Sequence, residues 1–159
     1  MFARYFVELP IDAEEVERLL TRSPETWLPG IAGTANERGE RLLTEVGFGA
    51  QRRLRKEVEI EFGAPIRTLT KTILPMHWAA AKSRSLFPEL DADLEIAPLG
   101  THQTQLSMSA RYVPPLGGLG RAIDRAVLNR VAESTLKDFL DRVAEALRAQ
   151  SSDAVKPAN

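Results

Sequence analysis

The stretch LGGLGRAIDRAVLNRVAESTLKDFLDRVAEALR, residues 116–148, decides how the rest of this sequence is read. It holds no proline, and no glycine beyond Gly120. Leu119, Ile123, Val127, Val131, Leu136, Phe139, Val143 and Leu147 recur at helical spacing, and Leu128, Ala132 and Leu140 widen the stripe. The opposite face carries the ion-pair spacings Glu133 to Lys137 and Lys137 to Asp141. At 1.5 Å per residue, a helix of about 30 residues is roughly 45 Å long. Such a rod spans a curved sheet from rim to rim, and its apolar stripe requires a surface to cover.

The residues before it supply that surface. His102 to Tyr112 sets Leu106, Met108, Ala110 and Tyr112 against Gln105, Ser107, Ser109 and Arg111. Ala92, Leu94 and Ile96 alternate with Asp91, Asp93 and Glu95, and Val58, Ile60 and Phe62 alternate with Glu57, Glu59 and Glu61. Period 2 gives each strand one wet face and one dry face. Gly63-Ala64-Pro65 and Pro98-Leu99-Gly100 are turn signals. Ile66 to about Ala80 is expected to be extended, with Pro75 marking a bulge, an edge or a break. Short turns between successive strands predict an antiparallel meander.

Toward the N-terminus, Phe2 to Leu9 is a strand ended by Pro10. Asp12 and Glu15 have the spacing of a capping box, and Val16, Leu19 and Leu20 follow as a short helix that stops at Ser23-Pro24. Pro24 to Gly30 predicts one more helical turn. Residues 30–40 are rich in glycine and polar groups and are expected to be a connection, with a strand over 41–48. The expectation is an α+β fold: a curved antiparallel sheet wrapped around a long C-terminal helix, with two short helices after the first strand. One domain over residues 1–149 and a flexible tail over 150–159 are expected.

Composition narrows the function classes. The chain of 159 residues is 43% apolar and 27% charged with formal net charge −1, so no global field draws it to nucleic acid or an anionic membrane. Cysteine is absent, which excludes disulfides, thiolate metal sites and a cysteine nucleophile. No apolar run approaches the roughly 20 residues that span a bilayer. The opening apolar run lacks a basic leader and breaks at Pro10, so a cytoplasmic location and no membrane insertion are expected.

Three stretches carry a resemblance: Leu86-Phe87-Pro88-Glu89-Leu90-Asp91-Ala92-Asp93-Leu94-Glu95-Ile96, Arg111-Tyr112-Val113-Pro114-Pro115-Leu116-Gly117, and Asn129 through Leu140. With the first helix and Trp27-Leu28-Pro29, the sequence resembles bacterial members of the START-like superfamily, which groups polyketide cyclases or dehydrases with lipid-transport proteins. The resemblance implies the helix-grip fold and a cavity between sheet and terminal helix. It implies a small hydrophobic molecule as partner, bound or transported, with no defined catalysis and no cofactor. An enzyme of the polyketide cyclase or aromatase kind, with Tyr112 or His77 as proton donor, is the alternative. A protein-interaction module with a vestigial cavity is the third.

The residues that line such a cavity are Trp27, Ile60, Phe62, Met76, Trp78, Leu94, Leu106, Met108, Tyr112, Ile123, Val127 and Val131. Tyr112, Thr70, Thr72 and Ser134 or Thr135 are its polar anchors. The same side chains can instead pack as a filled core. Other chemistry is weakly supported. If Met76 and Trp78 face in, His77 faces out. Two distant histidines give no metal site. Gly117-Gly118-Leu119-Gly120 matches no phosphate-loop spacing. The cluster Arg52, Arg53, Arg55 and Lys56 lacks the interleaved aromatics of a nucleic-acid binder. Asp91 with Asp93, and Glu57 with Glu59, fall on the wet parity and make a solubility face rather than an acid–base pair.

Overall fold

In the computed structural model, residues 2–45, 58–80, 89–113 and 125–155 are described. The elements run β1 (Phe2–Leu9), α1 (Ala13–Thr21), a 3-10 turn (Pro24–Thr26), α2 (Leu28–Glu45), β2 (Val58–Phe62), β3 (Ile66–Arg67), β4 (Thr72–Ala80), β5 (Glu89–Gly100), β6 (Gln103–Val113) and α3 (Arg125–Val155). The sheet order is β1-β6-β5-β4-β2, with β3 beside β4, and every pairing is antiparallel.

Register carries the alternation across the whole sheet. Ile60, Trp78, Leu90 and Tyr112 form one cross-strand row, and Phe62, Met76, Ala92, Ala110 and Ala3 form the next. Leu74, Leu94, Met108 and Tyr5 follow, then Ile96, Leu106 and Val7. Directly paired residues share a face, so these rows make one dry surface, and α3 and α2 pack on that side with Leu136, Phe139, Leu140, Val143 and Leu147 fully buried. The Phe139 ring meets Trp78 at 5.2 Å between centroids, tilted by 55°, a geometry aromatic pairs favour. That contact ties the middle of the helix to β4.

Several local expectations fail, each for a tertiary reason. Residues 30–40 are not a connection and 41–48 is not a strand: α2 is helical through Glu45, so the second helix is not short. Leu28, Ala32 and Ala35 are fully buried, and half-buried Leu42 continues their spacing. Gly30 and Gly33 cost helix propensity of up to about 1 kcal/mol each, yet packing of this face on the core outweighs it. The capping box does not form. Asp12 instead accepts a hydrogen bond from the His102 backbone N–H at 2.9 Å, and its carboxylate lies 2.8 Å from the His102 ring. It thereby holds His102 at φ 59 in the β5–β6 turn, while Glu15 pairs with Arg18.

Ile66 to Ala80 is not continuous. The chain reverses at residues 68–71, where the Thr68 N–H donates to the Lys71 carbonyl at 2.9 Å. Pro75 sits where β4 exchanges β3 for β2 as neighbour, so the hydrogen bond its missing N–H would make is not needed. Gly63 lies against it, donating to the Pro75 carbonyl at 2.8 Å. A Cβ on Gly63 would approach the proline ring to 3.1 Å. The β5–β6 reversal uses Thr101 and His102 rather than Pro98-Leu99-Gly100, and β5 is irregular between Pro98 and Gly100. α3 continues to Val155, so residues 150–155 are helix rather than tail.

Replacing Phe139 with alanine removes the ring that joins helix to sheet. The expected loss is about 3–5 kcal/mol of unfolding free energy by urea titration. Phe6→Ala, on the outer face at 54% exposure, is expected to cost less than about 0.5 kcal/mol.

Candidate functional site

The dry interface between sheet and α3 has a sealed interior and less covered edges. Met76, Trp78, Leu94, Leu106, Met108 and Tyr112 are each no more than 4% exposed, and Val131 is 7% exposed. Together with Phe139, Val143 and Leu147 they form the closed core. Trp27, Ile60, Phe62 and Val127 are only half-buried and pack against that core, as do Ile31 and Leu42 of α2. Incompletely covered apolar side chains thus belong to β2, α2 and the start of α3 on one side, and to Tyr5 and Val7 of β1 with Ala13 of α1 on the other. Of the predicted cavity residues, the structure brings eleven onto this one interface. Ile123, the Gly117–Gly120 run and the Arg52–Lys56 cluster lie outside the described residues.

Ile31 and Leu42 escaped the sequence reading because α2 was expected to be loop and strand. The Leu28, Ala32, Ala35, Leu42 spacing was the available signal, masked by the glycines at 30, 33 and 39.

Polar groups near the interface are mostly committed. Thr104 donates to the Ile11 carbonyl at 2.6 Å, and Thr72 donates to Glu17 at 2.8 Å. Thr70 is exposed in the β3–β4 turn and anchors nothing inside. Asp138, 9% exposed, accepts from Arg38 of α2 and from Arg142, both at 2.8 Å. Burial pushes the Asp138 carboxyl up, but the hydrogen bonds and charges of Arg142 and Arg38 outweigh it and hold the group below its ordinary range. Burial, with a smaller contribution from the charge on Glu133, pushes the Tyr112 phenol up, so it stays protonated. Thr135 is different. At 1% exposure, its hydroxyl has no hydrogen-bond partner, and it lies one helical turn before Phe139 on the same side of α3. An unpartnered buried hydroxyl costs about 1–3 kcal/mol.

The other side of the sheet is wet. His77 lies there, with Nδ1 2.7 Å from the Asp91 carboxylate, so of the two proton donors a cyclase would use, only Tyr112 faces α3. A concavity of about 470 Å³ opens on this outer face beside His77, Asp91, Arg111, Glu61 and Pro75. Phe62 and Met76 also border it, although their side chains belong by register to the dry face. Among the described residues no group of acidic and histidine side chains is placed to hold a metal ion. No helix among them is long and apolar enough to cross a membrane.

Neither a family model nor a curated protein matches this sequence. Among solved structures, a conserved protein from Geobacillus kaustophilus aligns over 94% of this chain and 96% of its own, with 15% identity and a TM-score of 0.52. That match and the long C-terminal helix packed on an antiparallel sheet agree on the architecture. The fold is the helix-grip fold. More distant are Ara h 8.0201, with 8% identity over 94% of this chain and 98% of that one at TM-score 0.46, and the Zhui aromatase/cyclase from Streptomyces sp. R1128, with 14% identity over 99% of each chain at TM-score 0.44. Activity does not follow from likeness at this level.

The clasp between α2 and α3 predicts an acid-side signature. Asp138 is held as the anion in the folded chain, so its contribution is complete above about pH 4, the unfolded carboxyl's value. It is lost as pH falls through the lower folded value. Asp138→Asn is expected to lower Tm near neutrality and to flatten the fall in Tm between about pH 5 and pH 2.5. Calorimetry across that range reads both effects.

Proposed function

We propose that this helix-grip protein binds a small apolar or amphipathic molecule, lipid- or polyketide-like in character, between the sheet and α3. Its function on this reading is carriage or sequestration rather than a reaction. The observation that carries it is the uneven sealing of the dry interface. Ile60, Phe62, Trp27 and Val127 leave apolar surface partly in water on the β2–α2 side, contiguous with the closed core. Exposed apolar surface that continues into a core is the property of a ligand mouth.

Burial supplies the affinity. At about 0.8 kcal/mol per CH₂, an eight-carbon segment entering the interface gains roughly 6 kcal/mol before the cost of association. The clasp of Arg38 and Arg142 on Asp138 fixes α2 to α3 on that side, so α2 and β2 frame the opening. Tyr112 contributes a neutral phenol on the same face.

Native mass spectrometry of gently purified protein is expected to show a co-purifying small molecule, or uptake of the uncharged fluorescent probe N-phenyl-1-naphthylamine. Ile60→Gln should weaken probe binding by about tenfold, the equivalent of about 1.4 kcal/mol, while Phe6→Gln on the outer face leaves it unchanged. Equal weakening by both substitutions, or no uptake at all, contradicts the assignment.

A further inference from the structure

Among the described residues, one buried side-chain polar atom is unsatisfied, and its chemistry constrains the guest. Among the described buried polar side chains, Thr72 and Thr104 donate to Glu17 and the Ile11 carbonyl, and Asp138 is held by two arginines. Thr135 alone has a buried side-chain oxygen with no partner. A hydroxyl offers one donor and accepts through two lone pairs, so it can meet an alcohol or a ketone equally well. No lysine or arginine is buried among the described residues. Arg38 of α2 and Arg142 of α3 are already engaged by Asp138, and Lys137 of α3 by Asp141.

We propose that Thr135 makes the interior selective for an uncharged guest bearing a hydroxyl or carbonyl oxygen on an apolar body, in preference to a carboxylate of the same length. This rests on the binding function proposed above. A carboxylate brought to Thr135 would surrender its hydration for a single hydrogen bond, with no cation to receive its charge. An alcohol or ketone surrenders far less and satisfies the orphan hydroxyl in return. A guest with no polar atom leaves Thr135 as unpaired as before.

The test is displacement of N-phenyl-1-naphthylamine by 1-decanol, 2-decanone and sodium decanoate at about pH 8, where decanoate is ionised. It compares the wild-type chain with Thr135→Val, which keeps shape and removes the hydroxyl, and Thr135→Ser, which keeps the hydroxyl. Decanol and decanone are expected to displace the probe at concentrations at least about tenfold below decanoate. Because decanol is also the more apolar ligand, the decisive quantity is the change on substitution. Thr135→Val is expected to weaken decanol and decanone by about tenfold relative to decanoate, each read against the probe affinity measured for that variant, and Thr135→Ser to retain the wild-type ranking. Circular dichroism confirms that each variant is folded. If the probe binds but Thr135→Val leaves the oxygen-bearing ligands unaffected, or decanoate competes as well as decanol, the selectivity is overturned while binding stands. If the wild-type chain binds no probe, the binding function fails and the selectivity with it.

Discussion

A six-stranded sheet with one apolar face is not stable until that face leaves water, and here α3 does most of the covering. The sheet's rows of Trp78, Leu90 and Tyr112, and of Leu94 and Met108, present a continuous dry surface. The helix answers with Leu136, Phe139, Leu140, Val143 and Leu147, all fully or almost fully buried. Contact between Phe139 and Trp78 ties the helix, which runs nearest β1 and β6, across the sheet to β4. Everything else in the fold is arranged around that union. α2 is fastened to α3 through Arg38 and Asp138, and Asp12 ties the start of α1 to the β5–β6 turn.

The same union sets where a guest can go. Where the aromatic pair meets, space is taken by the protein's own rings. Toward β2 and α2 the apolar side chains are only partly covered, and the buried hydroxyl of Thr135 lies one turn from Phe139. A filled core and a binding site are therefore compatible in one interface, provided they occupy different parts of it. On the opposite face, the concavity beside His77 and Asp91 mixes Glu61, Asp93 and Arg111 with Phe2, Pro75 and Met76. Its charged groups are in contact with water and retain their hydration.

Much of this architecture was legible because long-range packing and local pattern agree. The α3 stripe, the alternation in β5 and β6, and the outward parity of His77 follow from periodicity alone. The failures share a cause. Gly30, Gly33 and Gly39 argued against a helix whose buried Leu28, Ala32 and Ala35 only matter once α2 has a neighbour. Asp12 had the spacing of a cap, yet its partner is His102, 90 residues away in the chain. Glu133 was spaced for Lys137 but accepts from Asn129 at 2.8 Å, while Lys137 pairs with Asp141 and lies over the Tyr5 ring. For the site, the lining residues were legible as a dry parity. Their division into sealed interior and less covered edges was not, because it depends on where α2 comes to rest.

The claim that matters most is that apolar space is available at the β2–α2 end of the helix–sheet interface. Crystals pressurised with xenon report this directly, since the gas enters dry apolar cavities and avoids polar ones. The account predicts a xenon site bordered by Ile60, Phe62 and the first turns of α3, near Thr135. Xenon confined to the outer face, or absent from the interface at saturating pressure, would contradict it.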